Sequence, residues 1–158
     1  MLGNYEDKFL PLGNPKLDRV ISIGRSKVDI PETWKKIIFR TDGSRRKVIF
    51  FNNSIGTFLN NTDKYLDKIE DTFKTFRNRD DAVLLWRPHP LLPATIRSMV
   101  PEALPKYTEL VENYKSEGWG IYDDTSDMDK SIAISDAYFG DDSSSVLTVC
   151  KATGEPVM

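Results

Sequence analysis

The chain has 158 residues, 39% of them hydrophobic and 29% charged, enough for one globular domain with a buried core. Its net charge of −2 gives no global pull toward nucleic acid or an anionic membrane, and the short basic run Arg45-Arg46-Lys47 reads as a solvated face. A single cysteine and a single histidine exclude an internal disulfide and a Cys/His metal framework, and Cys150, in an apolar stretch, reads as a buried structural thiol.

The first residues are polar and charged, unlike a signal peptide, and no apolar run approaches the ~20 residues that span a bilayer. The expected compartment is the cytoplasm, or the inner membrane face by peripheral association of a longer chain. In chain order, Asn14-Pro15 opens the first helix, with a capping residue before proline at the first helical position, and the helix is expected to run to about Gly24. A short helix is expected over 31–39. Lys47 to Asn52 is short, apolar and rich in strand formers, hence a buried strand, followed by a polar loop over 53–57.

A longer helix follows from Thr62 to about Asn78, with Tyr65, Leu66, Ile69, Phe73 and Phe76 on one face. Ala82 to Trp86 is a second buried strand, closed by Arg87-Pro88-His89-Pro90. Helices resume over 93–100 and 105–117, the latter with an inward stripe of Tyr107, Leu110, Val111 and Tyr114 and a stop at Gly118. Residues 120–122 form a third strand, 127–135 a helix, 137–139 a fourth strand and 143–153 a helix closed by Gly154. Pro156-Val157-Met158 opens a fifth strand, and a stop there is expected of a fragment of a longer protein. Strands alternating with helices predict an α/β fold, a doubly wound parallel sheet in a single domain over 1–158.

In such sheets ligands bind beyond the carboxyl ends of the strands. Four polar clusters follow the four strands: Asn52-Asn53-Ser54, Arg87-Pro88-His89-Pro90, Asp123-Asp124-Thr125-Ser126, and Gly140-Asp141-Asp142-Ser143-Ser144-Ser145. Together they predict a binding crevice. The last cluster leads into a helix, whose free N–H groups suit a phosphate or pyrophosphate, with serine hydroxyls as added donors. Capping by Asp142 or Ser143 explains the same residues. Arg87 and His89 point to one side of an extended stretch, where a cation and an imidazole can neutralise and protonate a phosphate leaving group. A histidine packed at a strand end is the alternative. Asp123, Asp124 and Asp127 read as helix caps or as acid/base residues, and no metal is expected.

These clusters carry a resemblance. Arg87-Pro88-His89-Pro90, then Ile121-Tyr122-Asp123-Asp124-Thr125-Ser126-Asp127, then Ser135-Asp136-Ala137-Tyr138-Phe139-Gly140-Asp141-Asp142-Ser143-Ser144, resemble the donor-binding domain of CDP-glycerol glycerophosphotransferases. That family shows a basic-x-His-Pro motif, an Asp/Ser/Thr-rich loop, and a strand ending in Asp-Tyr-Ser-Ser. Gly154-Glu155-Pro156-Val157-Met158 is similar to its later Pro-led strand, and Leu12-Gly13-Asn14-Pro15-Lys16-Leu17-Asp18 to its Gly-x-Pro-basic-x-Asp segment. The likeness extends over nearly the whole chain.

The resemblance implies the C-terminal, donor-binding half of a GT-B-like, two-domain transferase that moves glycerol phosphate from CDP-glycerol to a teichoic-acid-type acceptor, without a cofactor or an obligatory metal. Carried over by position, His89 is the catalytic or phosphate-contacting residue. Ser143 and Ser144, with the backbone of the following helix, hold the pyrophosphate, and Ser145 belongs to the substrate-binding set. Asp124, Thr125 and Asp127 lie near the cytidine or the glycerol, and Arg87, Asp141, Gly13, Asn14 and Lys16 complete the substrate-binding set. The acceptor-side domain is absent from this chain, so the chain alone is expected to be inactive. Asp142 stands where the family carries an aromatic residue, which adds a negative charge beside the expected phosphate. A nucleotide-sugar transferase of the same fold and a non-catalytic α/β binding module are the competing readings.

Overall fold

The structure is a computed structural model and describes residues 15–22, 28–142, 144–154 and 156–158. Its centre is a four-stranded sheet of β1 (Lys47–Asn53), β2 (Ala82–Pro88), β3 (Ile121–Tyr122) and β4 (Ala137–Gly140) in the order β3-β2-β1-β4. Every pairing is parallel. Val157, in the segment expected to open a fifth strand, makes an isolated parallel bridge to Tyr138 of β4. This is the α/β, doubly wound fold read from the alternation of elements, with its change of direction between β1 and β4.

Covering helices explain why β1 and β2 are continuous apolar runs rather than alternating ones. Ile49 and Phe51 face α3 (Ile55–Asn60), α4 (Thr62–Arg77), α5 (Leu92–Met99) and α6 (Leu104–Glu117), which contribute Phe58, Leu66, Phe73, Ile96 and Tyr114 to one core layer. Val48 and Phe50 face the other layer. There α1 (Pro15–Ser22), α2 (Glu32–Ile38), α7 (Met128–Ile134) and α8 (Ser145–Ala152) supply Val20, Trp34, Ile132 and Val149 among others. Cys150 is buried in this second layer.

Most expected boundaries fall within a residue or two. Position 24, the expected end of the first helix, lies outside the described residues, as does Asn14, its expected cap. Three differences matter for the site. Residues 55–60, expected within a polar loop and its extension, form α3, because Ser54 accepts from the Thr57 amide and Phe58 is buried against Tyr65 and Tyr107. Strand β2 continues through Arg87 to Pro88. Strand β3 pairs only with Leu85 and Trp86, so the missing N–H of Pro88 breaks no ladder bond. Helix α8 is capped by Ser144, whose hydroxyl accepts from the Val146 amide, and not by Asp142.

The helical stripes are close to the expected ones. On α4, Tyr65, Leu66, Ile69 and Phe73 are buried, while Phe76 is only partly so. On α6, Tyr107 and Tyr114 are buried and Leu110 and Val111 pack from the layer's margin. Gly118 ends α6 at φ 66°, in the left-handed region that a side chain resists. Replacing Gly118 with alanine is expected to cost about 1 kcal/mol, read as a lower midpoint in urea with an unchanged slope.

Candidate functional site

The loops after β2 and β3 meet because those strands are neighbours in the sheet. Between them lies a pocket of about 230 Å³, lined by Arg87, Pro88, His89, Pro90, Pro93, Tyr122, Asp123, Asp124 and Thr125. Four expected site residues, Arg87, His89, Asp124 and Thr125, are therefore brought together at one place.

Their roles differ. The Arg87 guanidinium is buried: it pairs with Asp123 at 2.5 Å and donates to the Thr125 carbonyl at 2.8 Å. It is not the free phosphate-facing cation that an extended Arg-x-His stretch suggests, because Asp123 neutralises it. The Asp123 carboxylate in turn accepts from the Thr125 amide and hydroxyl and from the Ser131 hydroxyl. A buried charge is tolerable when paired and hydrogen-bonded, and here both partners are. The network joins the end of β2, the loop after β3 and helix α7 into one block.

His89 is exposed, and its backbone N–H is tied to the Asn53 carbonyl at 3.0 Å. Its Nδ1 accepts from the Leu91 amide at 3.2 Å. That bond assigns the proton of the neutral ring to Nε2, so a second donor or acceptor position remains for a ligand. Asp124 is exposed and pairs with Lys115 of α6 at 3.1 Å. The Lys115 amine also sits 4.1 Å from the centre of the Tyr122 ring. Across this pocket Arg87 offsets Asp123 and Lys115 offsets Asp124, which leaves the His89 ring outside both ion pairs.

The remaining expected residues lie elsewhere. Asp127 caps α7, accepting from the Lys130 amide at 3.3 Å, and does not line the pocket. Asp141 is at the point where β1 and β4 diverge, but its side chain is buried there. It accepts from the Ser54 amide and the Tyr65 hydroxyl, each at 2.6 Å, with the Lys68 amine at 3.8 Å. Burial, reinforced by this carboxylate, drives the Tyr65 hydroxyl far above its ordinary pKa. Asp141 thus fills the crevice in which it was expected to contact a ligand. Ser144 is engaged in its cap and in a 3.0 Å bond to Asn52 Oδ1, and Ser145 is exposed at the start of α8. Gly13, Asn14, Ser143 and the side chain of Lys16 lie outside the described residues.

The cluster Asn52-Asn53-Ser54, read as lining a crevice, is instead an internal junction. Asn52 donates to the Arg87 carbonyl at 2.8 Å while receiving Ser144. Asn53 receives the Trp86 indole N–H and donates to the Tyr65 hydroxyl at 3.0 Å. Gly140 closes the same junction: a Cβ there would lie 2.7 Å from the Asn52 carbonyl oxygen. A larger open groove of about 730 Å³ runs along α4 beside Phe139, and none of the expected residues line it. Residues that sequence reasoning left out of the site are Tyr122, Asp123 and Lys115. The first two sit inside the recognised cluster, Tyr122 as a strand end and Asp123 as a cap or an acid/base residue. Lys115 has no local signal and reaches the pocket only through the packing of α6.

Among known proteins, no protein family, no curated protein and no solved structure matches the chain. Among the described residues, no helix is long and apolar enough to cross a membrane.

Proposed function

We propose that this chain is the donor-nucleotide-binding domain of a GT-B-like transferase that moves glycerol phosphate from CDP-glycerol to a teichoic-acid-type polymer acceptor. The observation that carries the reading is the pocket itself. It lies beyond the carboxyl ends of β2 and β3, with the sole histidine of the chain at its rim beside Asp124 and Thr125. In the reaction, the acceptor hydroxyl oxygen attacks the glycerol-bearing phosphorus, the bond from that phosphorus to the CMP oxygen breaks, and the acceptor proton passes to a base. His89 Nε2–H donates to a phosphate oxygen as charge develops on departing CMP. Arg87 acts at one remove by fixing the Thr125 carbonyl. The polymer acceptor reaches the donor through a domain other than this one.

A pocket of about 230 Å³ is smaller than the ~300–1,000 Å³ typical of drug-sized ligands, so it receives one end of such a donor rather than all of it. The internal engagement of Arg87, Asp141 and Ser144 favours a second reading, a non-catalytic binding module in which these residues serve folding alone.

Calorimetric titration with CDP-glycerol, CDP, CMP, UDP and UDP-glucose separates the readings. Saturable binding of cytidine diphosphates is expected, weakened about tenfold or more by His89→Ala. The variant's stability should stay within about 0.5 kcal/mol of the parent, because the ring is exposed. Preference for uridine compounds moves the reading to a nucleotide-sugar donor. Binding that is indifferent to His89→Ala removes the histidine from the site, and no binding by the chain or by a longer form of the protein leaves the non-catalytic module.

A further inference from the structure

The groove along α4 shares no residue with the pocket between β2 and β3. It holds about 730 Å³ and is lined by α3, by α4 with its cap Asn61, and by Phe139 of β4. Phe139 is stacked on Phe51 of β1 at 5.2 Å and, like Phe76 near the end of α4, is only partly buried, so apolar surface is left open there. Along this face α4 presents Lys64, Asp67, Lys68 and Asp71. Their charges alternate in sign, and residues equally far from the midpoint between Asp67 and Lys68 carry opposite charges. Asn60 and Thr75, which also line the groove, stand at equal distances from the same midpoint.

We infer that this face is the contact surface for a second copy of the chain, with the two α4 helices antiparallel about a two-fold axis that passes between Asp67 and Lys68. A two-fold contact sets one patch against itself, so it is favourable only where the patch complements its own reversed image. In this register Lys64 faces the partner's Asp71 and Lys68 the partner's Asp67, and each pairing occurs twice. A parallel arrangement in register would set like charges opposite one another, so the charges choose the direction as well as the partner. Asp67 and Asp71 already hold Lys106 at 2.7 Å and Lys74 at 3.3 Å, but these are exposed pairs, and a carboxylate accepts from more than one donor. The Lys68 amine is 3.8 Å from buried Asp141, too long for a hydrogen bond, so donors remain for the partner's Asp67. Covering the open surface of Phe76 and Phe139 supplies the apolar share of the contact. An interface centred on one helix pair is small, and the dimer is accordingly a weak one.

The test is sedimentation velocity on the chain over about 1–200 μM, with thermal melts as the check on folding. The parent is expected to show a reversible monomer–dimer equilibrium that weakens when salt is raised to about 1 M, where exposed charges are screened within about 3 Å. Lys64→Asp and Asp71→Lys should each raise the dissociation constant about tenfold or more, because each sets like charges opposite one another twice per dimer. The double variant, with both changes, should return to within about threefold of the parent, since the swapped charges again face their opposites. Both positions are exposed, and aspartate is favourable in the first turn of a helix, so the variants are expected to melt within a few degrees of the parent. A chain that stays monomeric over the whole range overturns the inference and leaves the groove to a different occupant. A dimer indifferent to the single reversals, or not restored by the double one, places the contact elsewhere and overturns it as well. Nucleotide binding at the His89 pocket should be the same in all these variants, so the dimer and the proposed function stand or fall separately.

Discussion

Replacing Asp123 with alanine is expected to lower the unfolding free energy by about 3–5 kcal/mol, one of the two largest losses available outside the backbone. Its side chain is fully buried, and removing it strands the Arg87 guanidinium, itself 7% exposed, with its charge uncompensated. The Thr125 amide and hydroxyl and the Ser131 hydroxyl lose their acceptor in the same step. For a chain of this size each kcal/mol shifts the melting temperature by roughly 2–4 °C, so a fall of about 10 °C is expected in a thermal melt. Removing both charges should be milder. The pair Arg87→Met with Asp123→Leu leaves no isolated charge, and its loss is expected to be smaller than that of Asp123→Ala alone. If the single variant loses under about 1 kcal/mol in guanidinium unfolding, the network is not the clasp described above.

Trp86→Ala is expected to cost a similar amount, about 3–5 kcal/mol, through a different cause. Trp86 is wholly buried and makes edge contacts to Phe73 at 4.9 Å, Tyr114 at 5.3 Å and Tyr122 at 5.2 Å. Truncation leaves a cavity at the centre of the layer beneath α4 and α6, and it also takes the indole N–H away from Asn53. Because Tyr122 leans on this indole, the pocket wall should loosen as well, so ligand affinity is expected to fall with stability. A variant that loses stability but binds each probe as the parent does would show that the wall is held from elsewhere. Trp86→Phe, which keeps a ring in the space, should recover most of the stability and so separates the cavity from the lost N–H.

Much of this architecture was legible in the chain because it rests on local periodicity. Helix α4 was readable from Tyr65, Leu66, Ile69 and Phe73, and the buried strands from their unbroken apolar runs, since burial on both faces of a parallel sheet demands such runs. Helix α3 was not, because Gly56 and Asn60 give it a loop's composition, while the residue that holds it, Phe58, is buried against a ring far along the chain, Tyr107. The candidate site divides in the same way. Polar clusters after each strand were visible, but their grouping depends on strand order. With β2 and β3 adjacent, Arg87 and His89 meet Asp124 and Thr125; β4 lies beyond β1, so Asp141 and Ser144 fall at a separate point.

The internal use of polar residues was equally hidden. Asp141 is satisfied by Ser54 and Tyr65, 87 and 76 residues away, and Arg87 by Asp123, 36 residues away. Spacing along the chain carries no trace of such pairings. A free acid and a buried, saturated one have the same letter.

The junction at the end of β1 bears on how the pocket meets a ligand. Through two side-chain amides, Asn52 and Asn53 join β2, α4 and the cap of α8 to the innermost strand. His89 hangs from the same point by its backbone N–H. On the proposed reading, the backbone that carries His89 is thus fastened to the central strand of the sheet, and its ordering is complete when folding is complete. Binding then meets a receptor of fixed shape, in which little conformational entropy remains to be lost, and affinity depends on complementarity rather than on closure.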